Sequence, residues 1–67
     1  MYTVSKWKRP NWAKGTDTIS QSKSTALELA QSVKLGESAI VWSGKPHAAK
    51  MLASYWRDDT GLNYIFY

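Results

Sequence analysis

The sequence predicts an α+β domain of two layers, in the order β-α-β-β-β, with an antiparallel sheet of about four strands and one helix packed on one face. Three observations carry this expectation. Residues 2–9, YTVSKWKR, alternate in character and are rich in β-formers; residues 24–35 hold the clearest helical periodicity; and residues 54–67, SYWRDDTGLNYIFY, set two aromatic, β-rich runs around an acidic turn with a glycine. The final run holds Tyr55, Trp56, Tyr64, Phe66 and Tyr67, more aromatic surface than a chain of this size readily hides.

A chain of 67 residues is expected to form one domain, residues 1–67, and sits near the lower limit for unaided folding. Such a domain buries only about 60% of the surface its unfolded chain exposes, which leaves room for one small core and no deep cleft. There is no cysteine and a single histidine, so disulfides are excluded and neither a zinc site nor any other cofactor is implied. Cohesion therefore rests on packed Trp, Tyr, Leu, Ile and Val. No apolar run approaches the roughly 18 residues of a membrane span, and the opening MYTVSKWKRP lacks the apolar core of a signal peptide, so the expected location is the cytoplasm and no membrane partner is expected. The formal charge is +4 and the pI about 9.6. Lys6, Lys8, Arg9 and Lys14 all precede the first acid, Asp17, so the basic excess lies at the N-terminal end.

Taken in order, the first strand should stop before Pro10, since proline cannot donate to a sheet ladder. Residues 10–21 mix Pro, Gly, Asn, Asp and Ser with one large apolar residue, Trp12, and read as a long polar connection in which residues 16–20 are a candidate short extra strand. In the helix, Thr25 and Glu28 fit a capping box, Ala26, Leu29, Ala30 and Val33 form one apolar stripe, and Lys34 and Gly36 suit its end. Residues 38–43, SAIVWS, form a short apolar run next to Gly44 and read as a strand.

Residues 45–57 carry two conflicting signals. Ala48, Met51, Leu52 and Tyr55 have helical spacing and Pro46 suits a first helical turn, whereas LNYIFY after the Asp58-Asp59-Thr60-Gly61 tetrad needs a partner strand. The hairpin signal favours a strand over residues 50–57. Its expected register pairs Trp56 with Asn63, Tyr55 with Tyr64, Ser54 with Ile65 and Ala53 with Phe66. Trp56, Ile65 and Tyr67 then share one face, expected to be core, and Tyr55, Tyr64 and Phe66 the other, expected to be exposed.

Catalytic chemistry finds little support, and the chain is expected not to be an enzyme. His47 has no Ser, Cys and carboxylate set near it in sequence, and Asp58 and Asp59 are explained by their turn, where aspartate caps through local hydrogen bonds. Ser43-Gly44-Lys45 lacks the frame of a phosphate loop and is followed by Pro46. More content lies in Lys6, Trp7, Lys8, Arg9, Trp12 and Lys14, where cations that neutralise phosphates alternate with indoles that stack on bases. That mixture suits binding to DNA, RNA or an acidic partner, and it equally suits an edge strand whose lysines discourage sheet-to-sheet aggregation. Tyr55, Trp56, Arg57, Tyr64 and Phe66 are the residue types that dominate protein-binding hot spots. An open edge strand would also allow a homodimer by sheet pairing.

The phrase SKSTALELA, residues 22–30, resembles the opening of the last helix in double-stranded RNA-binding domains and a helix start in small phage integrase arm-binding domains, in a different element order from both. The phrases YTVSKWK, SQSKSTALELAQ and ASYWRDDTGLNYIFY, by order and spacing, resemble small phage-encoded inhibitors of the anti-CRISPR type. That resemblance implies a non-enzymatic protein, acting in the host cytoplasm, that occludes a surface of a host protein or nucleoprotein complex. Lys6, Lys8 and Arg9 would steer such a protein towards an acidic partner.

Overall fold

The computed structural model of the protein describes residues 1–8, 15–45 and 50–67. Its elements are β1 (Tyr2–Lys8), β2 (Thr16–Ser20), α1 (Lys23–Gln31), β3 (Glu37–Ser43), β4 (Lys50–Asp58) and β5 (Gly61–Phe66). They form a five-stranded antiparallel sheet in the order β2-β1-β3-β4-β5, with α1 on one face. The α+β class and the single helix agree with the sequence reading. The strand count and order need correction, because the candidate strand at residues 16–20 is a full member of the sheet and the order is β-β-α-β-β-β.

Thr16, Thr18 and Ile19 are β-branched and fit a pleated backbone, so β2 forms although its composition is that of a loop. It pairs with β1 from Tyr2 opposite Ser20 to Lys6 opposite Thr16. Gly15 admits this approach, since a Cβ there would collide with the Lys6 carbonyl oxygen. As an outer strand exposed along most of its length, β2 has no buried face to impose alternating apolar residues, which is why its sequence resembles a connection.

The strand reading of residues 50–57 holds. β4 lies between β3 and β5, with ladder bonds on both sides, and the predicted hairpin register is the observed one. The register against β3 steps from Val41 opposite Ala53 to Trp42 opposite Met51, so Leu52 is the extra residue of a β-bulge. Met51 thereby shares the helix-free face with Trp42 while Tyr55 lies beneath the helix, so residues that read as one helical stripe are divided between the two faces, and Pro46 and Ala48 lie outside the described residues.

The helix runs over Lys23–Gln31, shorter than the expected 24–35. Its N-cap is Ser22, whose hydroxyl accepts from the Thr25 amide at 3.5 Å, so the predicted Thr25–Glu28 box is not the cap used. The earlier start follows from β2: the Ser20 hydroxyl donates to the Ser22 carbonyl at 3.0 Å and accepts from its amide at 3.2 Å, tying strand end to helix start. At the other end the Ser32 hydroxyl donates to the Leu29 carbonyl at 2.7 Å, satisfying one of the carbonyls a helix end leaves open.

Ala26, Ala30 and Val33 pack on Val4, Ala39, Val41, Ala53 and Tyr55 to make the core. Alanine on both surfaces lets the helix lie close to the sheet. Each larger apolar side chain so buried contributes about 1.5–3 kcal/mol. Among the described residues no buried side-chain nitrogen or oxygen lacks a hydrogen-bond partner, and no helix is long and apolar enough to cross a membrane.

Candidate functional site

Opposite residues of paired strands share a face, so the register assigns every side chain of the sheet to one of two sides. Val4, Val41, Ala53 and Phe66 form one row on the helix side, and Lys6, Ala39, Tyr55 and Tyr64 form the next. The expected division of the hairpin is thereby reversed. Tyr55 is only 2% exposed beneath the helix, and its hydroxyl accepts a hydrogen bond from the Gln31 amide at 3.4 Å. Trp56 and Ile65 lie on the helix-free side, Trp56 half-buried and Ile65 exposed, and Tyr67 is exposed beyond the strand end, so the three do not form the core. The hairpin alone could not say which face the helix would choose.

Tyr64 and Phe66 share the helix side with Tyr55 yet remain 59% and 63% exposed. The reason is the helix footprint. α1 packs on β1, β3 and β4 and touches β2, and β5 falls outside the main contact. The three rings nevertheless form one cluster, with centroids 5.1 Å apart for Tyr64 and Phe66 and 6.3 Å from Tyr55 to each. A buried tyrosine thus anchors two exposed rings. Leu62, Ile65 and Tyr67 add exposed apolar surface, so β5 and the residue after it present five large apolar side chains to solvent.

The backbone of β5 is equally open. The Tyr67 amide donates to the Leu52 carbonyl at 3.1 Å. Because antiparallel bonding alternates along a strand, Asn63 and Ile65 also bond inward to β4, while the N–H and C=O groups of Leu62, Tyr64 and Phe66 point away from the sheet. No described strand pairs on that side. The hairpin that carries β5 is set by its turn: the Thr60 amide and hydroxyl both donate to the Asp58 carboxylate, and Gly61 takes φ 110, a left-handed value that favours glycine. This structural role accounts for Asp58, and among the described residues no three potential metal ligands cluster.

The remaining candidate residues separate. The half-buried Arg57 donates from Nε to the Val33 carbonyl at 2.7 Å and serves the turn after the helix. Lys6 donates to the Ser32 hydroxyl at 2.7 Å on the same side. Trp7 points to the opposite side, in a row with Ser38, Trp56 and Asn63, so strand alternation sets Lys6 and Lys8 apart from the indole between them. Lys8 is exposed and stands opposite Glu37. Arg9, Trp12 and Lys14, and likewise His47, lie outside the described residues.

Of the exposed set, sequence reasoning did not assign Leu62, Ile65 or Tyr67 to the contact site. A usable signal was present: residues 61–67, GLNYIFY, contain no charge and no proline, the two features with which edge strands are normally protected. Comparison with known proteins finds no matching family model, no matching curated protein and no matching solved structure, so what this surface does rests on its own geometry.

Proposed function

We propose that this is a non-enzymatic protein-binding domain that inhibits by steric occlusion, covering a surface of a host protein or nucleoprotein complex in the manner of small phage-encoded inhibitors. Tyr64 and Phe66 are the contact residues, with Leu62, Ile65 and Tyr67 around them. The supporting observation is the exposure of Tyr64 and Phe66 at a sheet edge while Tyr55 holds them from below. Aromatic side chains give large contact area at little cost in rotamer entropy, and this cluster is held in place before any partner arrives. Arg57 is tied to the turn after the helix, and Trp56 lies half-buried on the helix-free side of the hairpin.

The rival reading, direct nucleic-acid binding through Lys6, Trp7, Lys8, Arg9, Trp12 and Lys14 together with the exposed aromatics of the sheet face, is less favoured because charge and ring at positions 6–8 face opposite sides of the sheet. Both readings meet one pair of measurements. Affinity capture from bacterial lysate should be lost with Tyr64→Ser and Phe66→Ser and kept with Lys8→Ala; the reverse pattern sinks the proposal. Fluorescence anisotropy with labelled DNA and RNA should show no binding at low salt. Binding with a steep negative salt slope that Lys8→Ala reduces would instead establish the nucleic-acid reading.

A further inference from the structure

We infer that β5 pairs with β5 of a second copy of this chain, antiparallel across a two-fold axis at Tyr64, so that two five-stranded sheets become one. The inference rests on the contact reading above and names what the open edge of that surface takes up. Its starting point is the backbone. The outward N–H and C=O groups of Leu62, Tyr64 and Phe66 form a ladder with no partner among the described residues.

An isologous interface requires the strand to match itself. With the axis at Tyr64, Leu62 meets Phe66 of the second copy, Tyr64 meets Tyr64, and Phe66 meets Leu62, so three residue pairs exchange bonds. Shifting the axis to Asn63 or to Ile65 leaves only two such pairs within the strand. Side chains agree with the same register. Apolar residues meet apolar residues on the helix side, and Asn63 meets Ile65 on the other.

Electrostatics permit the same occupant. The chain carries +4, so two copies repel overall, but residues 61–67 hold no charge, and the contact strands bring no like charges face to face. The opposite edge, β2, carries Asp17 near its start and does not offer this match. Edge pairing covers the flanks of these side chains and leaves their outer faces open, so the buried area falls below the roughly 800 Å² per partner of a standard interface. The dimer is therefore a weak one.

Pairing also changes the contact surface. The two-fold axis stands perpendicular to the sheet, so both helices lie on one side, separated by the two β5 strands. The two β4 strands are about three strand spacings apart, roughly 14 Å. Tyr64 and Phe66 of both copies form the floor of this channel, which doubles the aromatic surface offered to a target.

The purified full chain tests this in two ways. Sedimentation equilibrium from about 10 μM to about 1 mM should show monomer passing to dimer. Amide exchange by NMR should show Asn63, Ile65 and Tyr67 protected at every concentration, and Leu62, Tyr64 and Phe66 protected only as dimer forms. Tyr64→Pro removes an N–H that bonds nothing within the copy and should raise the dissociation constant at least about tenfold. A synthetic chain N-methylated at the Tyr64 amide makes the same test with the side chain kept, and Thr18→Lys on β2 should leave association unchanged. A monomer at 1 mM, or a dimer indifferent to both Tyr64 changes, overturns the inference. Capture from lysate that still depends on the Tyr64 and Phe66 side chains in a monomeric chain would leave the contact reading standing without it.

Discussion

The two edges of the sheet differ in how they meet solvent. β2 is five residues long, carries Asp17, is touched by α1, and has both ends tied down, by Gly15 against the Lys6 carbonyl and by the Ser20–Ser22 hydroxyl pair. β5 is apolar and uncharged, lies outside the main helix footprint, and exposes most of its side chains. Edge strands that must stay unpaired are short, charged or covered, and β2 meets all three conditions in part. β5, one residue longer, is neither charged nor covered. The difference teaches that the amount of apolar surface at β5 is not forced by the small size of the domain, because the same fold exposes a single large apolar side chain, Ile19, on its other edge.

The largest effect expected from this contrast is at Tyr55, which joins the core to the open edge. Tyr55→Ala should cost about 3–4 kcal/mol in urea denaturation, enough to unfold much of so small a domain. A cost below about 1 kcal/mol would mean that the ring is not held under the helix. Next, Gly15→Ala forces a Cβ against the Lys6 carbonyl and should cost about 1–3 kcal/mol, with amide exchange rising first in β2. Unchanged exchange in β2 would show that this edge is not held there. Gly61→Ala should cost about 1–2 kcal/mol, because alanine is strained at φ 110 although no neighbouring atom obstructs it. Ser22→Ala removes the helix cap and should cost about 1 kcal/mol. The smallest stability effect belongs to Phe66→Ser, about 0.5–1 kcal/mol, since the side chain is mostly exposed and gives up only its ring contacts with Tyr55 and Tyr64. The same substitution should remove binding. Loss of stability in step with binding would place Phe66 in the core and dissolve the contrast between the edges.

Much of the local structure was legible along the chain. The Asp58-Asp59-Thr60-Gly61 turn and the pairing of Tyr55 with Tyr64 follow from turn chemistry and strand period, both of which act within a few residues. The apolar stripe Ala26, Ala30 and Val33 was legible for the same reason. β2 was only a candidate strand, since β-branched residues were its sole signal and an exposed outer strand carries no apolar alternation. The extra residue Leu52 was not legible, because no local propensity records a bulge. The candidate site is half visible in the sequence: the aromatic residues are evident, but which of them are covered is not, and the bond that turns Arg57 from a contact residue into a support of the Val33 carbonyl spans 24 residues.

By itself, then, the sequence determined the α+β class, the existence of the hairpin, its register, and the grouping of Tyr55, Tyr64 and Phe66 on one face. Each of these depends on interactions between residues close in the chain. Tertiary structure alone decided which face the helix covers and how far across the sheet it reaches. The physical reason is that both faces of β4 are apolar, so periodicity was satisfied by either choice. The choice was made by long-range packing of Ala26, Ala30 and Val33 against Val4, Ala39 and Val41, residues of strands remote from the hairpin in sequence. That packing buries Tyr55 and stops short of β5, leaving Tyr64 and Phe66 exposed beside it.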